Sequence, residues 1–317
     1  MSQPTGELAT AEQVVAIVPA AADLKAAITA KGYTIIDLPS LPEGPLPGYR
    51  VLLGTAMAGA SAATFDRFPD AKLLASMGTG LENIDLDTAR ARGIAVLNTA
   101  DVLTEDTADY AIALLYGIAR RVVEADGFVR GGTWSKQRLT PSTRLFGKTC
   151  GIFGLGKIGQ AVARRAQGIG MTVLWSGPRA KPGIAWEYVP DLATMVQRCD
   201  VLILTCPGNA STDRIIDAAM LERLGPAGFL VNIARGTVVD EPALVAALRA
   251  GTIRGAASDV FRVEPLVDPD VIGAPNLVLS PHYATVTHET RADMIAMLAD
   301  GIEAFRHGRP HHDATKG

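Results

Sequence analysis

The sequence predicts an α/β protein built from two domains, each with a doubly wound parallel sheet. Three observations predict it. The chain has 317 residues, too many for one ordinary core and comfortable for two. Hydrophobic residues make up 48% and charged residues 20%, so there is enough apolar side chain to fill large interiors. Short apolar runs alternate with helical patterns, joined by short connections, as parallel strands with crossover helices require.

In the first series "VVAIVP" (14–19), "YTIIDL" (33–38), "VLLGT" (51–55), "KLLASMG" (72–78) and "IAVLNT" (94–99) read as strands. Helical patterns near 20–31, 61–68 and 86–92 lie between them, and the Pro- and Gly-rich 39–50 reads as a loop. A long helical pattern over 104–130 has the length to cross from one domain to another. The second series has strands at "CGIFGLG" (150–156), "MTVLWSG" (171–177), "DVLILTC" (200–206), "GFLVNIA" (228–234), "GAASDV" (255–260) and "LVLSPH" (277–282). Its helices fall at about 157–169, 191–199, 217–224 and 240–250. A last helix covers about 287–307, and the tail "HGRPHHDATKG" reads as frayed. Five strands followed by six give the two domains.

The formal charge of −3, with no long Lys/Arg cluster, gives no case for nucleic acid or an anionic membrane as partner. Cys150, Cys199 and Cys206 are odd in number and at no metal-ligand spacing, so no metal is expected. They read as small buried hydrophobes in a reducing compartment. The start "MSQPTGELATAEQ" lacks the basic and apolar regions of a signal peptide, and "YAIALLYGIA" (110–119) is far short of a membrane span. A cytoplasmic protein is expected.

Gly154-x-Gly156-x-x-Gly159 sits directly after an apolar strand and directly before a helix. The first glycine suits a tight turn, the second lets a pyrophosphate approach the backbone, and the third packs helix on strand. The helix N-terminus then offers N–H donors to the anion. A purely structural turn is the bland alternative. In an NAD site an acid about 20 residues on would receive the adenosine ribose. Here Ser176 and Gly177 stand there, followed by Pro178, Arg179, Ala180 and Lys181. Unit charges about 4 Å apart interact by roughly 4 kcal/mol at an effective dielectric near 20. A carboxylate would therefore repel a 2′-phosphate strongly, and its absence beside Arg179 favours NADPH, with NAD possible. The alternative is that Arg179 and Lys181 are solvated loop charges.

Three polar residues lie just beyond strand ends of the second series: Arg235, Glu264 and His282. Open parallel sheets bind ligands at that edge. Each alone could be a salt-bridge partner, a solvated charge or a satisfied loop residue. Together, after a dinucleotide loop, they suit reduction of a 2-oxo acid. A guanidinium matches a carboxylate and carbonyl with a planar fork of donors, each charge-assisted bond worth roughly 1.5–3 kcal/mol. The carbonyl oxygen needs a proton as it gains charge, and imidazole is suited to give it. A carboxylate beside His282 would favour its protonated form, the role read for Glu264. The other histidines, on the last helix or in the tail, lack such companions.

These segments, "GKTCGIFGLGKIGQ", "LVNIARGTVVDEPALVAAL", "AASDVFRVEP" and "SPHYATVTHETR", resemble the D-isomer-specific 2-hydroxyacid dehydrogenases over about residues 50–305. "NTADVLTEDTADYAIALL" resembles the family's interdomain helix. "SMGTGLENIDLDTA" resembles its loop whose backbone amides receive the substrate carboxylate. The resemblance implies Arg235, Glu264 and His282 as the catalytic set and Gly78, Thr79 and Gly80 near substrate. It implies cofactor contacts from Gly154, Leu155, Gly156, Lys157, Ile158 and Gly159, from Ser176, Gly177 and Arg179, from Cys206 and Pro207, from Ile233 and Ala234, and from Asp259. It further implies a Rossmann cofactor domain (102–285) inserted into a flavodoxin-like substrate domain (1–101 plus 286–317), and a homodimer joined through cofactor domains. Glu82 and Tyr283 depart from the family's usual residues. "LWSGPR" is most similar to the NADP-preferring glyoxylate and hydroxypyruvate reductases, which makes small 2-oxo acids the expected substrates. NAD-linked action on phosphoglycerate-like, phosphite or formate substrates, or a non-catalytic NAD(P)-sensing corepressor-like protein, are the alternatives.

Overall fold

The first alternating series folds around β1 (Gln13–Ala16), α1 (Ala22–Ala30), β2 (Thr34–Asp37), β3 (Val51–Thr55), α2 (Ala62–Arg67), β4 (Leu73–Met77), α3 (Leu86–Arg92) and β5 (Ala95–Asn98). The structure, a computed structural model, describes residues 13–100 and 102–316, so the N-terminal segment read above as lacking a signal peptide lies outside the described residues. The five strands form one parallel sheet in the order β2–β1–β3–β4–β5, the flavodoxin-like doubly wound order. Val51, Leu52, Leu53, Leu73, Leu74 and Ala75 are buried almost completely, which is why these strands read as continuous apolar runs rather than alternating ones.

Contacts divide the chain into two units: residues up to Leu103 together with those from Thr287, and Thr104–Val286. The 104–130 helical pattern is two helices, α4 (Thr104–Ala119) and α5 (Val122–Arg130). Arg121 takes a left-handed φ of 55° between them, and the Ala119 carbonyl accepts from Thr143 N–H instead of extending the ladder. Helix α4 belongs to the second unit, where it packs on α6 and the sheet.

The second unit continues with β6 (Thr149–Phe153), α6 (Lys157–Gly168), β7 (Thr172–Ser176), β8 (Glu187–Tyr188), α7 (Leu192–Arg198), β9 (Val201–Leu204), α8 (Ala218–Leu224), β10 (Phe229–Asn232), α9 (Glu241–Ala250), β11 (Gly255–Ser258), α10 (Pro269–Ile272) and β12 (Leu277–Leu279). All strands are parallel, in the order β12–β11–β10–β9–β6–β7–β8. This is the Rossmann order extended by one strand, with the switch point between β6 and β9. The sequence suggests six strands. The seventh, β8, has two residues, too few to show a pattern. It is held by pairing to β7, with Trp175 Nε1 donating to Trp186 O at 3.1 Å and the Tyr188 hydroxyl to Gly177 O at 2.9 Å.

Helix α11 (His288–Arg306) returns to the first unit, packing against β4 and α1 with Leu298 and Ile302 fully buried. The tail corrects the reading of a frayed end. Ala314 N–H donates to Val96 O at 2.7 Å, Val96 N–H donates to Asp313 Oδ1 at 3.1 Å, and Arg90 Nε donates to Thr315 O at 3.0 Å. The tail thus covers β5, the edge strand whose outward backbone groups would otherwise be unpaired. Its polar composition hides this, because the pairing uses backbone and one carboxylate. Among the described residues, no helix is long and apolar enough to cross a membrane, and no cluster of three or more His, Cys, Asp or Glu could hold a metal.

Candidate active site

The glycine loop shows what each glycine is for. Gly154 has φ of 96°, and a Cβ there would lie 2.7 Å from the Cys206 backbone. A Cβ on Gly159 would lie 2.2 Å from Gly154 O, so helix and loop touch only through glycine. Gly156 is different: it is exposed, and nothing lies within 4 Å of where its Cβ would stand. That open ground lies before the first turn of α6, whose N–H groups have no intrahelical acceptor. The residues therefore fit the pyrophosphate of a dinucleotide. Leu155 is buried, Ile158 half-buried and Lys157 exposed. Cys206 is buried behind Gly154, and burial pushes its thiol up to about 12, so it is inert near neutral pH. Pro207 beside it is exposed.

At the end of β7, Ser176 is buried, its hydroxyl 3.5 Å from Pro190 O. The half-buried Gly177 and exposed Arg179 follow, with no carboxylate at the strand end. Lys181 does more than a solvated charge would. Its Nζ donates to Leu155 O at 2.6 Å, drawing the cationic 177–181 segment across the glycine loop.

Strands β12, β11 and β10 are adjacent and parallel, so their C-terminal ends lie side by side at the spacing of neighbouring strands, about 4.8 Å. Ile233 and Ala234 leave β10 buried, and Arg235 follows, half-buried. Asn232 fixes this exit: its Oδ1 accepts from Ala234 N–H at 3.0 Å and its Nδ2 donates to Arg235 O at 3.1 Å. Arg235 Nη1 donates to Ala234 O at 2.8 Å, and its stem lies against Gly208, where a Cβ would come within 2.6 Å of Arg235 Cγ. Helix α9 then starts cleanly, with Asp240 accepting from Ala243 N–H, Pro242 in the first turn and Gly251 as a left-handed cap.

Gly236 joins this loop to the next. A Cβ on it would fall 1.9 Å from the Phe261 carbonyl carbon, so the two backbones are in contact. Phe261 N–H donates to Glu264 Oε1 at 2.8 Å, and Arg262 N–H donates to Glu241 Oε1 at 2.7 Å. Burial raises the pKa of Glu241, against the lowering effect of the Arg262 amide. The other oxygen of Glu264 lies 2.7 Å from His282 Nδ1. A carboxylate accepts only, so Nδ1 carries the proton and Nε2 is left for chemistry.

His282 itself sits at φ of 54°, a left-handed conformation costing an L-residue roughly 1–2 kcal/mol. Asp259 holds it there. The Asp259 carbonyl accepts from His282 N–H at 2.8 Å, and its carboxylate accepts from Ser280 Oγ at 2.5 Å, Tyr283 N–H at 2.7 Å and Ala284 N–H at 3.0 Å. The carboxylate is almost wholly buried. Ser280 is in turn 2.7 Å from the Tyr110 hydroxyl on α4, and the exposed Tyr283 ring lies 6.2 Å from that of Tyr110.

Glu264 and His282 are thus in direct contact, and Arg235 is tied to the same loop through Gly236. Gly78, Thr79 and Gly80 lie in the first unit, just past β4. Gly78 has φ of 113°, and the amides of Thr79 and Gly80 meet no internal acceptor among the described residues. The sequence reading missed Ser280, Tyr110 and Glu241 as supports. Their partners lie 21, 170 and 21 positions away, beyond any local pattern.

A family model described as "D-isomer specific 2-hydroxyacid dehydrogenase, NAD binding domain" matches residues 112–284. The chain belongs to the D-isomer-specific 2-hydroxyacid dehydrogenases. It is 40% identical to the glyoxylate/hydroxypyruvate reductase A of Arabidopsis thaliana, covering 82% of this chain and 83% of that protein. It is 39% identical to the 2-ketogluconate reductase of Gluconobacter oxydans, over 87% and 89% of the two chains. A 2-hydroxyacid dehydrogenase structure from Ketogulonicigenium vulgare superposes with a TM-score of 0.89 at 35% identity, over 96% and 98%. An NADPH-dependent glyoxylate/hydroxypyruvate reductase from Sinorhizobium meliloti, solved with NADP and malonate, gives a TM-score of 0.85 at 34% identity, over 92% and 93%. As a member of this family, the protein is an oxidoreductase that acts on 2-oxo and 2-hydroxy acids through a nicotinamide dinucleotide.

The contact at Gly236 yields a test. Gly236→Ala must push the Arg235 loop off the Phe261 backbone. We expect a stability loss of about 1–3 kcal/mol in urea denaturation, the usual cost of overpacking, and a larger fractional loss of turnover than of fold.

Proposed function

We propose that this chain reduces small 2-oxo acids, glyoxylate or hydroxypyruvate first, to the D-2-hydroxy acid, with NADPH preferred. One observation carries the reading: an imidazole held by a carboxylate stands two strand ends from a guanidinium, in the unit that bears the dinucleotide cradle. The bound nicotinamide supplies the hydride. Arg235 orients the substrate by its carboxylate and polarises its carbonyl through a planar fork of donors. As the carbonyl carbon accepts the hydride pair, the carbonyl π pair moves to oxygen, which takes the proton from His282 Nε2. Glu264 steadies the imidazolium before that transfer and keeps the ring in register. The Thr79 and Gly80 amides receive the substrate carboxylate.

The preference for NADPH is supported by the missing acid after β7 and by two cations, Arg179 and Lys181, in its place. A homodimer is supported by helix α5, none of whose residues is buried. Val122, Val123 and Val129 on it are exposed, as is the following Trp134. We infer that a second copy covers this apolar face. The three buried, unpaired cysteines favour the cytoplasm.

Initial rates with NADPH and NADH against a panel of 2-oxo acids test the activity. Arg235→Ala should raise KM and lower kcat, reducing kcat/KM by about a hundredfold or more, as loss of a donor to developing charge does. Near-wild-type kinetics with glyoxylate would remove Arg235 from the mechanism. Arg179→Ala should raise KM for NADPH about tenfold or more and leave NADH almost unchanged, since only the 2′-phosphate senses the charge. Sedimentation should give a dimer that Trp134→Glu weakens.

A further inference from the structure

The 78–80 loop has a second support that its own sequence does not announce. Thr99 N–H donates to Gly78 O at 3.0 Å, and Gly78 N–H donates to Thr99 Oγ1 at 2.9 Å. Next to Thr99, the buried Asn98 at the end of β5 donates from Nδ2 to Thr79 O at 3.0 Å. That bond fixes which way the amide faces, because the opposite orientation would set two acceptors together. Asn98 Oδ1 therefore faces away from the loop and needs a donor. His312 supplies it, with Nε2 2.9 Å from Asn98 Oδ1.

His312 is itself held in place. Its neighbour Asp313 accepts from Val96 N–H at 3.1 Å, Thr315 N–H at 3.0 Å and Thr315 Oγ1 at 2.8 Å. Burial opposes ionisation of Asp313, but these donors and Lys316 outweigh it and lower its pKa. The next residue, Ala314, pairs with Val96 O and packs into the apolar cluster under β5. The imidazole is thus anchored on both sides, by His311, whose ring meets that of Phe305 edge-on at 5.8 Å, and by residues 313–315 along the edge strand, and it reaches the loop through one amide.

We propose that the 311–316 tail is a strap that sets the shape of the 78–80 loop, and that His312 is a positioning residue for substrate binding, acting through Asn98. This rests on the reading above that the Thr79 and Gly80 amides receive the substrate carboxylate. Those amides are useful to an anion only while Gly78 keeps its left-handed turn and Thr79 O is held away from the site. Asn98 does the holding. His312 is itself exposed, so its loss opens Asn98 Oδ1 to water and removes the protein donor that fixes the amide in its present orientation toward Thr79 O. The effect should fall on substrate affinity and not on hydride transfer, because His312 touches neither substrate nor cofactor.

The test compares wild type, His312→Ala and His312→Gln, all as the full chain. Losing one hydrogen bond at this level should raise KM for glyoxylate about threefold to tenfold in His312→Ala. KM for NADPH and kcat should stay at the wild-type values. His312→Gln, which keeps an N–H donor, should restore KM. Hydrogen–deuterium exchange across residues 74–82, read without ligand, should be faster in His312→Ala and normal in His312→Gln. Wild-type KM with wild-type exchange in His312→Ala overturns the proposal, as does faster exchange with unchanged KM. Failure of the reductase reading is seen separately: a wild-type chain that oxidises no NADPH with any 2-oxo acid would remove that substrate class, while the exchange comparison would still measure the strap.

Discussion

The contact between Gly236 and the Phe261–Arg262 backbone is the constraint on which the proposed catalytic edge depends. Parallel register brings the ends of β10, β11 and β12 together, but strand ends alone leave loops free to part. At Gly236 the absence of a side chain lets the loop carrying Arg235 lie directly on the loop carrying Glu264. From there a single run of hydrogen bonds, Phe261 N–H to Glu264 and Glu264 to His282, completes the site. A backbone contact is stiffer than a meeting of side chains, because it has no rotamers to lose. Geometry near a reacting centre has to be held to fractions of an ångström, and backbone does this better than long polar side chains.

Two carboxylates serve the same histidine in different ways. Glu264 is half-buried and meets the ring, so it bears on the proton. Asp259 is almost fully buried and meets only the main chain and one hydroxyl, so it bears on the position. A buried carboxylate without partners would cost several kcal/mol, yet this one gathers three donors from the 280–284 segment. In doing so it holds His282 in a left-handed conformation that this residue would not choose alone. Desolvation and backbone strain, each unfavourable by itself, are offset by one set of bonds.

The first unit solves a similar problem with different means. In its loop after β4, Gly78 N–H and Thr79 O are claimed by Thr99 and by Asn98 at the end of the adjacent strand. The edge position of β5 leaves room for the tail to pair along it, and the same pairing that blunts the edge brings His312 to Asn98. Edge protection and loop support are thus served by one short segment.

The sequence by itself determined the elements and the types of residue at the strand ends. Buried parallel strands read as apolar runs, and glycine spacing marks a dinucleotide turn. Both are local patterns within a dozen residues. The missing acid at Ser176–Gly177 was equally local and equally legible. Only the tertiary structure decided that Arg121 breaks the long helix, that Asp259 serves the histidine segment, that Lys181 crosses the glycine loop, and that the polar tail docks instead of fraying. Each of these depends on a hydrogen bond between residues about 20 to more than 200 positions apart. Such bonds leave no periodicity in the chain, because a donor's partner is fixed by sheet order and by where the backbone returns, not by its neighbours in sequence.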